Sequence, residues 1–318
     1  MRIVVLAGGY GGAKLAHGVA MLAEAPGSDI AASIIVNTGD DLELHGLLVC
    51  PDLDTIMYTL AGLANDATGW GVRDETWSAG EMLERYGRET WFALGDRDIG
   101  THLARSKRMR EGARLTEVTA ELTSALGIDA RLLPMTDDIV RTKLRTDDGW
   151  LSFQDYFVRR QHADDVHEVH FHGIEAAAPT TEVLDAVATA DRILVAPSNP
   201  FVSVGTILAV PGMLDALIAA RAPIVAVSPL IGGAAVRGPA DRMFVTLGGE
   251  ASALGVGRHY VERYPGLLGG LVIDDVDVDQ ASAIVALGLV VRTAPTLMRS
   301  ADDRRALADV MLAVGDEL

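Results

Sequence analysis

The chain has 318 residues, enough to bury a large core as one domain or as two closely joined ones. With 49% apolar and 22% charged residues it lies outside the disordered and collagen-like classes. Its net charge of −17 argues against a general nucleic-acid or anionic-membrane binder, so any phosphate bound here must be held locally.

The apolar run Ile3–Ala7 stops at Gly8-Gly9, short of a signal-peptide core, and reads as a first buried strand. Further short runs at Ser33–Val36, Val166–Phe171, Arg192–Ala196, Ile224–Ser228, Leu271–Ile273 and Leu289–Val291 lack inside/outside alternation, as expected of parallel strands covered on both faces. Helical periodicity at Ala13–Glu24, Glu182–Ala190, Gly212–Ala220 and Arg304–Val314 falls between or after them. The pattern predicts an α/β fold with a doubly wound, mainly parallel sheet. The longest apolar stretch, Val204 to Leu230, is cut by Pro211, Asp215, Arg221 and Pro223, so no membrane span is expected. One cysteine, Cys50, permits no internal disulfide, and the expectation is a soluble, cytoplasmic protein.

The middle of the chain, about 66–163, breaks this rhythm. It shows helix-like segments at Ala79–Tyr86, Ile99–Glu111 and Leu115–Gly127, then a hairpin, Val140–Arg145 and Trp150–Phe153, around Thr146-Asp147-Asp148-Gly149. It reads as an inserted, mostly helical subdomain, leaving 1–65 and 164–318 as the core. All four tryptophans and 15 of the 27 Lys+Arg fall inside it, so it is close to neutral beside a strongly acidic scaffold.

Chemistry-bearing motifs cluster after the strands. Gly8-Gly9-Tyr10-Gly11-Gly12-Ala13-Lys14 opens a helix, where glycines and free N–H groups suit an anion. It fits neither a dinucleotide fingerprint, which needs Gly or Ala at Lys14, nor a Walker A loop. Asn37-Thr38-Gly39-Asp40-Asp41 ends the second strand and Asp52-Leu53-Asp54-Thr55 starts the next helix. Four carboxylates there form a candidate Mg²⁺ site, against the plainer reading of turn and helix-cap residues. Gly95-Asp96-Arg97-Asp98-Ile99-Gly100-Thr101-His102 groups titratable side chains at a helix start, whereas Lys107 to Arg110 read as a solvated face. Pro134-Met135-Thr136-Asp137-Asp138 is a second acidic turn. The loops Ala196-Pro197-Ser198-Asn199-Pro200-Phe201-Val202-Ser203 and Ser228-Pro229-Leu230-Ile231-Gly232-Gly233-Ala234-Ala235-Val236-Arg237 repeat the strand-to-loop strategy. Gly248-Gly249, Gly269-Gly270 and the acidic run Asp274 to Asp279 read as turns and solvated surface.

In this order the motifs resemble the 2-phospho-L-lactate transferase family of coenzyme F-420 biosynthesis, including its phosphoenolpyruvyl-transferring branch. The resemblance covers the chain to about residue 265. It implies a Rossmann-like domain with a helical insertion, Mg²⁺ dependence and a homodimer. It also implies transfer of a phospholactyl or phosphoenolpyruvyl group from a guanosine diphospho donor to the terminal ribityl hydroxyl of the deazaflavin Fo, with release of GMP.

On this basis Asp40 and Asp54 are the expected metal and catalytic residues. Gly9, Gly11, Gly12, Lys14, Ser198, Asn199, Ser203, Gly232, Gly233 and Arg237 are expected on the donor side, and Asp41, Asp96, Thr101, His102 and Thr136 on the acceptor side. Tyr10 stands where the family more often has Thr or Val, and Arg237 where Lys is common. The alternative in another class is a non-catalytic nucleotide-sugar-binding regulator of the same fold.

Overall fold

Ile3 to Ala7 extend into strand β1 (Arg2–Ala7), and the glycine loop turns directly into helix α1 (Gly9–Ala23). A computed structural model describes residues 1–318. The chain continues through β2 (Ala31–Val36), a small hairpin β3 (Leu42–Leu44) and β4 (Leu47–Val49), and α2 (Pro51–Leu60). Next come α3 (Ser78–Arg85), α4 (Asp96–Arg110), α5 (Leu115–Ala125) and β5 (Arg131–Pro134). Strands β6 (Arg141–Thr146), β7 (Gly149–Ser152) and β8 (Glu168–His172) precede α6 (Thr181–Ala188), β9 (Arg192–Val195), α7 (Val204–Ala209), α8 (Met213–Ala219) and β10 (Ile224–Val227). The rest is β11 (Leu230–Ile231), β12 (Ala234–Ala235), α9 (Ala240–Thr246), α10 (Ala253–Arg263), β13 (Gly270–Ile273), α11 (Ala281–Val285), β14 (Val290–Thr293) and α12 (Ala301–Asp316).

Seven strands form one parallel sheet in the order β14-β13-β10-β9-β1-β2-β5. Strand β1 pairs with β2 from Arg2↔Ala31 to Ala7↔Val36, and with β9 from Ile3↔Arg192 to Leu6↔Val195. Alternate residues feed two cores. Val4, Leu6, Ile193 and Val195 face one, Ile3, Val5, Leu194 and Val225 the other, and the cores hold 32 and 31 buried residues. Their near-equal size explains why these strands carry no polar face.

Two expectations need correction. The run Val166–Phe171 does not join the parallel sheet: β8 pairs antiparallel with β6 in a separate sheet of order β7-β6-β8. Its Glu168, His170 and His172 alternate with Val169 and Phe171, the period of a strand with one wet face. The segment 66–163 is also not wholly separate, because β5 is the edge strand of the central sheet, paired with β2 from Ser33↔Arg131 to Val36↔Pro134. The hairpin forms with Asp147-Asp148 as its two-residue turn, and α3, α4 and α5 form where periodicity places them. No helix is long and apolar enough to cross a membrane.

Candidate active site

The carboxyl ends of β1, β2, β9 and β10 open into one cleft of about 820 Å³. Sheet order reverses around β1, and such a switch point is where open α/β sheets leave a crevice. The loops after β1 and β9 are fastened together: Gly8 N–H donates to Ser198 Oγ at 3.0 Å, and that hydroxyl donates back to the Gly8 carbonyl at 2.7 Å. Gly11 must be glycine for this fit, since a Cβ would stand 2.7 Å from the Pro197 carbonyl oxygen. The N-cap residue Gly8 offers no side chain to α1, so beyond the Gly9 N–H, which faces Asp52, its first-turn N–H groups remain available at the cleft.

Asn37, fully buried at the end of β2, organises the acidic side. Its Nδ2 donates to Asp40 Oδ2 at 3.0 Å and to Asp52 Oδ2 at 2.9 Å, while its Oδ1 accepts from Gly39 N–H at 2.8 Å. Gln154 Nε2 donates to the Asp40 carbonyl at 2.9 Å, so the chain after β7 fixes the same loop. Asp40 Oδ1 is buried without a hydrogen-bond partner. Burial, and then the Asp52 charge, lift the Asp40 carboxyl well above the usual range. Burial pushes Asp52 up to about 6, partly offset by Asn37 and the Gly9 main chain.

Two residues further along α2, Asp54 meets a different environment. The buried Arg105 of α4 grips it with both terminal nitrogens, Nη1 at 3.1 Å from Oδ2 and Nη2 on Oδ1. Arg105 Nη1 also lies 3.3 Å from His102 Nδ1, and His102 Nε2 lies 3.3 Å from Asp98 Oδ1. The Tyr58 hydroxyl donates to Asp98 Oδ1 at 2.6 Å and accepts from Thr101 Oγ1 at 2.8 Å. Burial acts to raise the Asp98 carboxyl, but His102, Tyr58 and Arg105 outweigh it and hold it below the usual range. Ligand atoms of Asp54, Asp98 and His102 lie within 4.8 Å of one another, yet the guanidinium already balances Asp54. The carboxylate that shares Asn37 with Asp40 is Asp52, whereas Asp54, expected beside Asp40 at a metal, is paired with Arg105.

The cleft brings together Gly9, Gly11, Lys14, Asp40, Asp54, His102, Ser198, Asn199, Ser203 and Arg237. Other expected residues lie elsewhere. Gly12 packs behind the loop against Ala7 and Ser198. Burial pushes Asp41 to about 7, against the opposing charge of Arg141, away from the cleft lining. Asp96 caps α3, accepting from Thr76 Oγ1, Ser78 N–H and Ala79 N–H. Thr101 braces Tyr58, and Thr136 Oγ1 donates to the Ala178 carbonyl at 2.7 Å. Gly232-Gly233 is the turn between β11 and β12, its first N–H donating to Asp277 at 3.0 Å. That bond, and the Asp274 contacts to Thr296, make part of the acidic run a buried brace and not solvated surface. Lys107 and Arg108 do form surface pairs with Glu111 and Glu121.

Sequence reasoning did not place three contributors. Arg105 reads in sequence as a cation suited to a diphosphate, but it is committed to Asp54, and its spacing from His102 and Asp98 puts all three on one face of α4. The aromatic wall of Trp70, Trp91, Phe92, Phe153 and Phe157, with the last two phenylalanines stacked at 5.4 Å, comes from the middle segment. Thr296 to Met298 close the cleft from a stretch beyond the motif-bearing part of the chain.

Comparison with known proteins agrees with this architecture. Residues 3–285 match the family described as 2-phospho-L-lactate transferase CofD. A phosphoenolpyruvate transferase of Kitasatospora aureofaciens is 45% identical, covering 100% of this chain and 99% of its own. Proteins of the same name from Streptomyces coelicolor and Mycobacterium tuberculosis are 44% and 42% identical, covering 100% and 98% of this chain and 99% and 97% of theirs. A crystal structure of a UPF0052 family protein from Bacillus halodurans shares the fold, with TM-score 0.67 at 14% identity over 98% of each chain.

Proposed function

The chain belongs to the 2-phospho-L-lactate transferase CofD family, and from that premise we propose that it transfers a phosphoenolpyruvyl group from a guanosine diphospho donor to the deazaflavin Fo. Transfer of a phospholactyl or phosphoenolpyruvyl group in coenzyme F-420 biosynthesis follows from the family. The enolpyruvyl choice is supported by the full-length relatives at 42–45% identity. The regulator alternative is not favoured by relatives that are transferases throughout their length.

One observation carries the reading: two buried carboxylates, Asp40 and Asp52, share a single amide donor, and one oxygen of Asp40 lacks any partner. Buried like charges with an orphaned oxygen fit a divalent cation, and Mg²⁺ takes one or two carboxylates plus phosphate oxygens and water. Asp40 and Asp52 would hold it; when bound it supplies charge neutralisation at the diphosphate. The N-terminus of α1, Asn199 and Ser203 line the donor side, where N–H and hydroxyl groups suit phosphate, and Ser198 holds the two loops in place. The aromatic wall offers a flat apolar surface to the deazaflavin ring. In the reaction the ribityl oxygen forms a bond to the acid-bearing phosphorus, the bond from that phosphorus to GMP breaks, and the hydroxyl proton passes to a carboxylate of the Asp40–Asp52 pair. Alignment and charge balance, and no covalent intermediate on the protein, are what such a displacement requires.

The test is to offer the purified protein Fo with the lactyl, enolpyruvyl and glyceryl donors and Mg²⁺, reading products by mass spectrometry. Formation of the enolpyruvyl product ahead of the others is the expected result. Products only from the lactyl donor would replace the enolpyruvyl assignment, and none from any donor would refute transfer.

A further inference from the structure

The cleft is acidic at Asp40 and Asp52, but its other side is not. Of the residues that face it, only Lys14 and Arg237 bear the full positive charge of a lysine or arginine, in a chain with 44 acidic residues. Both lie over one ring: the Lys14 ammonium is 4.5 Å and the Arg237 guanidinium carbon 5.0 Å from the centroid of Tyr10. Tyr10 and Lys14 are four residues apart on α1 and so share a face.

Neither cation is paired with a carboxylate. Lys14 Nζ donates to the Met298 carbonyl and Arg237 Nη1 to the Thr68 carbonyl, each at 2.7 Å. The second bond depends on Gly69, because a Cβ there would stand 1.6 Å from Arg237 Nη1. A third cation, Arg304, is occupied by Asp66 at 3.3 Å, and Asp66 also accepts from the Tyr10 hydroxyl at 3.2 Å. Burial, and then the Arg304 charge, hold the Lys14 ammonium below its usual pKa, with Asp66 opposing them. A half-buried ammonium and an exposed guanidinium, both resting on neutral carbonyls, form a site for an anion at the mouth of the cleft.

The donor carries two kinds of anion. Its diphosphate is provided for by the α1 N-terminus and the Asp40–Asp52 cation site, which leaves the carboxylate of its three-carbon acid without a counter-charge. We propose that Lys14 and Arg237 form the subsite for that carboxylate, and that the subsite makes a free acid group a requirement of the donor. A planar guanidinium suits a carboxylate. Tyr10 holds the two cations at one place, giving a purpose to a bulky ring in a loop that otherwise consists of glycine. The proposal rests on the transferase reading above.

Two esters of GDP separate the possibilities: the lactyl ester, and the isopropyl ester in which a methyl replaces the carboxylate. Their binding is measured by calorimetry with Mg²⁺ and without Fo, so turnover does not enter. Wild type is expected to bind the lactyl ester about tenfold or more tighter. Arg237→Gln and Lys14→Met should each bring that ratio toward one while leaving the isopropyl ester within about twofold of wild type, which also reports an intact fold. Equal weakening of both esters would assign the cations to the diphosphate and overturn the subsite, as would equal affinity of wild type for the two. Absence of transfer to Fo with the binding ratio intact would tell against the reaction and leave the subsite standing.

Discussion

Asp52 and Asp54 stand two residues apart in the first turn of α2, both buried, and they meet opposite electrostatic fates. Asp52 shares an amide with a second carboxylate and has no cationic partner, whereas Asp54 is clamped by a buried guanidinium that His102 also approaches, with Asp98 on the far side of the imidazole. Burial alone thus does not mark a metal ligand. What distinguishes the two is whether the charge has already been balanced from within the protein, because a compensated carboxylate has little left to gain from a cation.

Removing the compensation should have the largest effect. Arg105→Met leaves Asp54 buried and unpaired, and is expected to cost about 3–5 kcal/mol in urea unfolding, the range for breaking a buried pair. Adding Asp54→Asn to it should recover much of that loss. A single variant as stable as wild type would mean that Asp54 and Arg105 do not form the pair described.

On the uncompensated side the cost falls on activity. Asp52→Asn keeps the shape and can still accept from a main-chain N–H, so stability in metal-free buffer should hold or rise as like-charge repulsion with Asp40 is relieved. Transfer should drop by about 10²–10³-fold, equivalent to about 2.7–4 kcal/mol at the transition state. Thermal stabilisation by Mg²⁺ should vanish with it. Full activity of Asp52→Asn in limiting Mg²⁺ would return the metal to Asp54.

The two sides also differ in the sign of their pH dependence. Asp52 keeps its proton to about 6 in the fold but loses it near 3.9 when unfolded, so the native state binds more protons across that window. Without metal, stability from this group falls as pH rises from about 4 to 6. Asp98 has a lowered pKa, so its contribution is present above the unfolded value and is lost as pH falls through the folded one. Melting curves from pH 4 to 6.5 should decline less steeply in Asp52→Asn than in wild type, the remainder coming from Asp40 and Asp41, whose carboxyls are also raised; identical slopes would dissolve the contrast.

The smallest effect is expected on the solvated face of the helix that carries Arg105. Lys107 is three-quarters exposed and only 3.8 Å from Glu111, so Lys107→Ala should leave the melting temperature within about 1–2 °C. A larger fall would mean that this surface is not the simple solvated face it resembles.

Local patterns carried the parallel sheet far. Uniformly apolar runs such as Ile3–Ala7 and Ile224–Ser228 could satisfy themselves only beneath helices on both faces, and the glycine, Asn199 and Arg237 loops were identifiable because they follow such strands. Where alternation was visible but passed over, as in Glu168–His172, the strand was placed in the wrong sheet. Asp96 and Thr136 show a different shortfall: each motif was real, but its polar atoms serve α3 and the Ala178 carbonyl.

By itself the sequence determined the α/β class, the family and the group of acidic residues among which the site lies, since these depend on residue type and short-range period. Only the tertiary structure decided which carboxylate faces which partner. Arg105 reaches Asp54 across 51 positions and Gln154 reaches Asp40 across 114, and Met298 meets Lys14 from a segment 284 residues away. Charge balance inside a protein is set by such distant neighbours over a few ångströms, and spacing along the chain does not encode it.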